Sequence, residues 1–299
     1  MKTLIIGGSG VIGSKFTKQF LSEEFELLST YFDNKLKFPN ECMLDIRDRN
    51  SVEKIFKKID PDIVIHTSAI TNIDLCETDH KLADSINVQG TKNIINYSKK
   101  FSSKLIYIST SFVFDGTKTK YFENDLTNPT TYYGKTKDIS EKNIINSELD
   151  FLILRTDQPY CWIESGQHTN SVLRVIDSLK AKKHHKEIVD WYNTPTYVPD
   201  FVETAKKLII NEKSGIFHLV GSDYINRFEW SKIICDCFNL NKKFIKPITS
   251  QDLKLPARRS NVNLSNEKIF NEMGIRMMGI RDGLKSMLEE EKLEQNEKF

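Results

Sequence analysis

The chain has 299 residues, 43 of them basic and 41 acidic, with a formal net charge of +2. Such near-neutrality excludes the whole-chain electrostatic footprint of a nucleic-acid binder. Apolar residues at 39% and charged residues at 28% exclude a disordered or fibrous chain. The length accommodates one large domain, or a main domain with a smaller lobe.

Short apolar runs alternate with longer amphipathic stretches. Thr3–Ile6 reads as a strand, Val11–Ser22 as a helix, Phe25–Thr30 and Glu41–Leu44 as the next two strands. Asn50 opens a helix, with Glu53 placed to close a capping box. Asp62–His66 is a fourth strand, Leu82–Lys99 a long helix, Lys104–Ser109 a fifth strand, Tyr132–Asn146 a helix and Phe151–Leu154 a sixth strand. These strands are continuous apolar runs, the pattern of strands buried on both faces of a parallel sheet. Successive βα units predict a doubly wound, Rossmann-like α/β fold.

After Arg155 the rhythm breaks. A basic helix at 171–183, a strand near Glu187–Val189, a turn at Thr194-Pro195-Thr196, a helix after Pro199, a strand Ile216–Val220 and a helix capped by Asn226 and Glu229 compose a smaller interleaved α/β lobe. Glu289–Lys298 reads as a charged, solvated helix end. No apolar run approaches the ~18 residues of a membrane span, and the N-terminal apolar stretch is too short for a signal peptide. The five cysteines (42, 76, 161, 235 and 237) then read as reduced thiols of a cytoplasmic protein. Cys235 and Cys237 are too close together for the usual zinc pair.

Gly7-Gly8-Ser9-Gly10-Val11-Ile12-Gly13 sits between the first strand and the first helix. Glycines allow the tight turn and bring backbone N–H groups and a helix N-terminus to a pyrophosphate. Gly7, Ser9, Gly10, Val11, Ile12 and Gly13 are therefore candidate dinucleotide contacts. Residues 1–155 read as the dinucleotide-binding domain, with later segments, about 186–215, returning to it. Residues 156–299 read mainly as a substrate-binding lobe and C-terminal helix. The second strand ends at Thr30 with no carboxylate directly at its tip, Asp33 following only three residues on, which leans the choice between NADP and NAD toward NADPH. No arginine stands at that tip; Lys35 is the nearest cation. Asp45 and Ile46 follow the third strand, where a carboxylate accepts from an adenine amino group or simply opens the next helix.

Tyr133 and Lys137 lie four apart at the start of a helix, on one face. A neighbouring ammonium lowers a phenol's pKa toward working pH. Thr110 and Ser111 end the fifth strand, at the carboxyl edge where ligands bind in such sheets. A hydroxyl there holds a carbonyl as charge develops on it. The three elements together (glycine loop, strand-end hydroxyl and YxxxK) carry far more weight than any one of them.

These residues resemble the extended short-chain dehydrogenase/reductases, and within them the dTDP-4-dehydrorhamnose reductases. The glycine spacing is G-x-x-G-x-x-G. Pro61–His66 with Ala69 is similar to that family's fourth strand and cofactor-facing turn, and Thr71–Glu77 to its T-x-V-D-x-x-E segment. Asn87–Thr91 resembles the helix that carries a structural asparagine. Ser109–Gly116 resembles S-T-D-Y-V-F-D-G, Asp190–Thr196 with Asp200 resembles D-Q-x-G-x-P-T followed by an aspartate, and Arg258–Leu264 resembles R-P-x-N-x-x-L. The chain departs from the pattern at Ser111, Phe112, Cys161 and Arg259.

The resemblance implies NAD(P)H-dependent reduction of the C4 ketone of a nucleotide-linked 4-keto-6-deoxyhexose. Tyr133 would be the general acid, Lys137 would hold the nicotinamide ribose and lower the tyrosine pKa, and Thr110 would hold the carbonyl. Ala69 and Thr71 join the cofactor contacts. Ser111, Trp162 and Arg258 join the substrate contacts, Arg258 toward the diphosphate. The chemistry needs no metal ion, and a monomer or homodimer suffices. Two alternatives remain: a nucleotide-sugar epimerase or bifunctional epimerase/reductase, and a non-catalytic regulatory subunit like that of methionine adenosyltransferase. The missing Thr-Asp-Glu triplet at 110–112 argues against a 4,6-dehydratase.

Overall fold

The computed structural model describes residues 1–21 and 25–296. The last residue of the first predicted helix, Ser22, and the end of the charged tail at Lys298 lie outside the described residues.

Six strands follow the predicted runs: β1 (Lys2–Ile6), β2 (Glu26–Tyr31), β3 (Glu41–Met43), β4 (Ile63–His66), β5 (Lys104–Thr110) and β6 (Phe151–Thr156). With the later strand Gly215–His218 they form one seven-stranded sheet in the order 215–218, β6, β5, β4, β1, β2, β3. Every pairing is parallel. The order reverses between β1 and β4, which opens a crevice at their carboxyl ends.

Alternate residues along the strands feed two cores. Ile5, Ile65, Ile106 and Leu154 face one, shared with Phe16 and Phe20 of α1 (Val11–Phe20) and with Phe201 and Leu208 of α8 (Val198–Ile210). Leu4, Val64, Leu105 and Ile153 face the other. There they meet Val52 and Phe56 of α2 (Arg49–Ile59), Ile94 of α5 (Thr91–Phe101) and Ile144 of α6 (Tyr132–Ile145).

Two local expectations are corrected. Asp48, not Asn50, caps α2, accepting from the Asn50 N–H at 3.0 Å. Glu53 closes no capping box; it pairs with Lys57 and Lys100 on the surface. The long helix predicted at 82–99 is several pieces: α3 (Ile73–Thr78), α4 (His80–Ala83), a π-helical stretch Asp84–Gly90, and then α5. The wider turn carries Asn87, whose amide bonds both the N–H and the carbonyl of Ile70 and the hydroxyl of Thr136. Asn87 thereby ties the turn after β4 to α6.

Beyond β6, the strand His185–Ile188 pairs in parallel with Ile245–Ile248, next to α7 (Ser171–Lys180) and α9 (Arg227–Cys237). Asn226 caps α9 by accepting from the Glu229 N–H. Pro199 sits in the first turn of α8, which returns to pack against α1. α10 (Glu267–Met273) and α11 (Ile280–Asn296) complete the chain. Among the described residues no helix is long and apolar enough to cross a membrane.

One buried ion pair locks α6 to the sheet. Glu141 takes both Nε (3.0 Å) and Nη2 (2.6 Å) of Arg155, and both side chains are about 2% exposed. Removing one partner strands a charge in the interior, whereas removing both does not. Arg155→Met is expected to lower unfolding free energy by about 3–5 kcal/mol, with much of the loss recovered in Arg155→Met/Glu141→Gln. Urea unfolding midpoints measure this; an additive double variant would contradict it.

Candidate active site

The turn after β1 is shaped by close approach. A Cβ on Gly13 would lie 2.1 Å from the Gly7 carbonyl oxygen and 2.8 Å from Thr67 Oγ1. Only glycine lets α1 begin so close to the turn, and its N-terminus consequently opens onto the sheet's carboxyl edge. Gly7 itself has φ +80°, and its N–H donates to Thr30 Oγ1 at 3.1 Å. Thr67 donates to the carbonyls of Ile6 and Gly7. Thr30 and Thr67 thus brace the loop from neighbouring strands. The sequence marked neither, since lone threonines carry no motif. This cradle of backbone N–H groups ahead of a helix start fits a dinucleotide pyrophosphate.

After β3, Asp45 is already engaged. Both of its oxygens accept from the Arg47 guanidinium at 2.6–3.0 Å, which holds its carboxyl below the usual range. Arg47 in turn lies 5.8 Å from the Phe32 ring centroid. The fold therefore brings an arginine from the β3 edge to the β2 tip, where the linear sequence shows none. Lys35 lies over Tyr31 beside it. Ile46 is 4% exposed and serves the core, packing against Gly90. Ala69 is half-buried in the turn after β4, and Thr71 is exposed beyond it.

Thr110 and Tyr133 meet at the end of β5. Thr110 is 7% and Tyr133 8% exposed, and the Thr110 hydroxyl lies near enough to the Tyr133 phenol to act on its pKa. Glu77 places the start of α6 by accepting from the Tyr132 N–H at 2.8 Å. A Cβ on Gly134 would lie 2.2 Å from the Phe112 carbonyl, so the glycine admits α6 against the strand-end turn. Burial pushes the Tyr133 phenol upward, against the Thr110 hydroxyl that lowers it. The lysine influence expected from sequence is absent from this balance. Lys137 donates instead to the Ile108 carbonyl at 2.7 Å, with its ammonium 4.0 Å from the Tyr107 ring centroid. Burial lowers Lys137 from 10.5 to about 7, partly opposed by Glu141. Cys76 packs in the same cluster as Tyr133, and burial raises its thiol to about 11, so it stays neutral.

The substrate contacts need correction. Ser111 is buried and donates to Asp157 Oδ1 at 2.8 Å; its hydroxyl is committed to structure. Asp157, raised by burial to about 6, also accepts from the Thr194 N–H and hydroxyl. Trp162 is half-buried against the core that the sheet shares with α1 and α8, donating to the Met287 carbonyl and packing edge-on against Phe238. The tryptophan near Tyr133 is Trp191, which shares its cluster and has the guanidinium groups of Arg227 and Arg259 5.3 and 5.6 Å from its ring. Arg258 is exposed on a recess of about 310 Å³ that it lines with Ser250, Gln251, Leu255, Ala257 and Arg259. Arg259 is largely buried and pairs with Asp74 at 2.7 Å.

Sheet order, glycine loop and crevice define a doubly wound, Rossmann-like dinucleotide-binding fold. The RmlD substrate binding domain model matches residues 1–293, and the chain belongs to that family. It is similar to a dTDP-4-dehydrorhamnose reductase from Bacillus anthracis solved in complex with NADP, at 26% identity and TM-score 0.88 over 97% of this chain and 99% of that one. Among curated relatives, a dTDP-4-dehydrorhamnose reductase of Aggregatibacter actinomycetemcomitans is 27% identical over 96% of this chain and 98% of its own length. The methionine adenosyltransferase 2 subunit beta of Bos taurus is 27% identical over 90% of this chain and 81% of its own.

Desolvation of Lys137 makes the stability of the fold depend on pH. Between pH 7 and 9 the unfolded chain still holds the lysine proton that the folded chain has released, so this group makes the fold more stable as pH rises. Across that window wild type is expected to gain on the order of 2 kcal/mol relative to Lys137→Met. Parallel stability curves for the two proteins would show that the ammonium is not desolvated.

Proposed function

We propose that the protein reduces the C4 ketone of a nucleotide-linked 4-keto-6-deoxyhexose with NADPH or NADH. The observation that carries this reading is the Thr110–Tyr133 contact at the carboxyl edge of β5, with Lys137 one turn along the same helix. The dinucleotide supplies the hydride. Tyr133 gives its phenolic proton to the oxygen of the former carbonyl, and Thr110 holds that oxygen. A phenol kept protonated by burial is in the form a general acid requires, and an alkoxide is basic enough to take its proton. Lys137 orients the ribose of the dinucleotide. Gly7, Ser9, Gly10, Val11, Ile12 and Gly13 take the pyrophosphate, with Asp45, Ala69 and Thr71 along the rest of the dinucleotide.

Arg258, exposed on its recess, faces the diphosphate of the sugar nucleotide. Arg47 and Lys35 at the β2 tip support the lean toward NADPH. The relatives named as dTDP-4-dehydrorhamnose reductases support the sugar class. A cytoplasmic setting and a monomer or homodimer belong to the same reading. The likeness to methionine adenosyltransferase subunits favours a second reading, a regulatory protein that keeps the fold. The assembled Thr110–Tyr133 pair argues for catalysis.

The two readings separate in one assay, NADPH oxidation with dTDP-4-dehydrorhamnose. Wild type is expected to turn over, and Tyr133→Phe to lose about 10²–10⁴-fold in kcat while still binding NADPH. Wild-type silence toward the sugar nucleotide would favour the regulatory reading. Full activity in Tyr133→Phe would remove the tyrosine from its role.

A further inference from the structure

The glycine loop is crossed by a turn from the other half of the chain. Glu164-Ser165-Gly166-Gln167 closes on itself twice. The Gln167 N–H donates to the Glu164 carbonyl at 3.1 Å, and the Glu164 N–H donates to Gln167 Oε1 at 2.9 Å. The second bond fixes which way the amide faces. Its Nε2 then points into the glycine loop and donates to the Ser9 carbonyl (2.9 Å), the Gly10 carbonyl (3.1 Å) and Ser14 Oγ (2.9 Å).

The turn is pinned on both sides of that amide. Glu164 pairs with Lys18 of α1. The Ser165 carbonyl accepts from Asn34 Nδ2, beyond the β2 tip, and Gly166, at φ +83°, is pressed against the same asparagine.

A pyrophosphate needs the N–H side of the loop. Gln167 occupies its carbonyl side, leaving the Gly8, Ser9, Val11 and Ile12 N–H groups unengaged by it. Each carbonyl that the amide fixes belongs to a peptide whose N–H is rigidly opposed across the same plane. The Gly10 N–H donates to the Gly7 carbonyl at 2.9 Å, so holding the Ser9 carbonyl across that peptide braces the turn, and holding the Gly10 carbonyl, which also accepts from the Ser14 N–H at 2.8 Å, sets where the Val11 N–H points.

We infer that Gln167 is a positioning residue of the dinucleotide site, holding the glycine loop in its pyrophosphate-binding shape from the opposite half of the chain. The inference rests on the glycine loop being the pyrophosphate site. It also fixes a pattern of effects. The pyrophosphate is common to NADPH, NADH and ADP-ribose, so loss of Gln167 weakens all three alike. Adenosine 2′-monophosphate, which lacks a pyrophosphate, is unaffected.

The test is equilibrium binding to the full chain, by nucleotide fluorescence for the reduced dinucleotides and by calorimetry for ADP-ribose and adenosine 2′-monophosphate. Gln167→Ala is expected to weaken NADPH, NADH and ADP-ribose about tenfold each. Gln167→Glu, which sets a carboxylate against two carbonyls, is expected to weaken them further. Gln167→Met, of similar volume, replaces the alanine variant if that one does not fold. Glu164→Gln, which loses the Lys18 pair but keeps the amide, is expected to stay within threefold of wild type. Unchanged affinities in Gln167→Ala, a loss confined to NADPH, or an equal loss in Glu164→Gln would each overturn the inference. Failure of the wild type to bind ADP-ribose would instead overturn the reading of the loop.

Discussion

The contact on which the site depends is the approach of α1 to the turn after β1, where Gly13 passes the Gly7 carbonyl too closely for any Cβ. A helix begun that near the strand keeps its first N–H groups and its positive dipole end at the edge of the sheet. Were α1 displaced by the width of a methyl group, those donors would withdraw from the crevice between β1 and β4. Thr30 and Thr67 hold the turn from the two strands flanking β1, so the loop is braced by the sheet it caps. Phe16 and Phe20 then anchor the rest of α1 in the core it shares with α8.

The proton chemistry follows from burial more than from charge. Tyr133 is desolvated, and this holds its phenol neutral against the lowering influence of the Thr110 hydroxyl. Lys137 is desolvated as well, and the nearest carboxylate, Glu141, already has both oxygens on Arg155. An ammonium with so little counter-charge is poised to lose its proton near neutral pH, and the Ile108 carbonyl and the face of Tyr107 are what compensate it. The interior thus holds two groups, a weak acid and a weakened base, on one face of one helix. Their protonation states can change together when a polar ligand alters the local solvation.

What was legible in the sequence was whatever depends on short-range pattern. Runs such as Asp62–His66 announced buried parallel strands, and the glycine loop and YxxxK were spaced by the geometry of one turn and one helix face. Boundaries slipped where side chains overrode the pattern, as at Asp48, whose carboxylate captures the start of α2 two residues before Asn50. The long helix at 82–99 hid a π-helical stretch because the bonds of Asn87 reach Ile70 and Thr136, distant in sequence. The same blindness governed the site. Arg47 reaches the β2 tip only because β3 lies beside β2, and Trp191 replaces Trp162 near Tyr133 only through the packing of the second lobe. Ser111 looked available beside Thr110, but successive residues at a strand end face opposite ways, and Ser111 turns to Asp157.

Beside the apolar clusters that both halves share, directional polar contacts join the two halves of the chain around the crevice. Asp157 bonds Ser111 at the end of β5 and Thr194 in the second lobe. Asp74 of α3 holds the Ala257 N–H and the Arg259 guanidinium. Gln167 holds the glycine loop. Each uses a short side chain with two or more bonds, so each fixes direction as well as distance. An apolar seam alone would permit sliding at little cost, because hydrophobic contact is non-directional. Paired hydrogen bonds instead give a small set of discrete arrangements, each losing energy steeply when misaligned. A crevice that must set a ketone against a hydride donor and a phenol benefits from that steepness, since displacement of about 1 Å is enough to cost a reaction of this kind much of its rate.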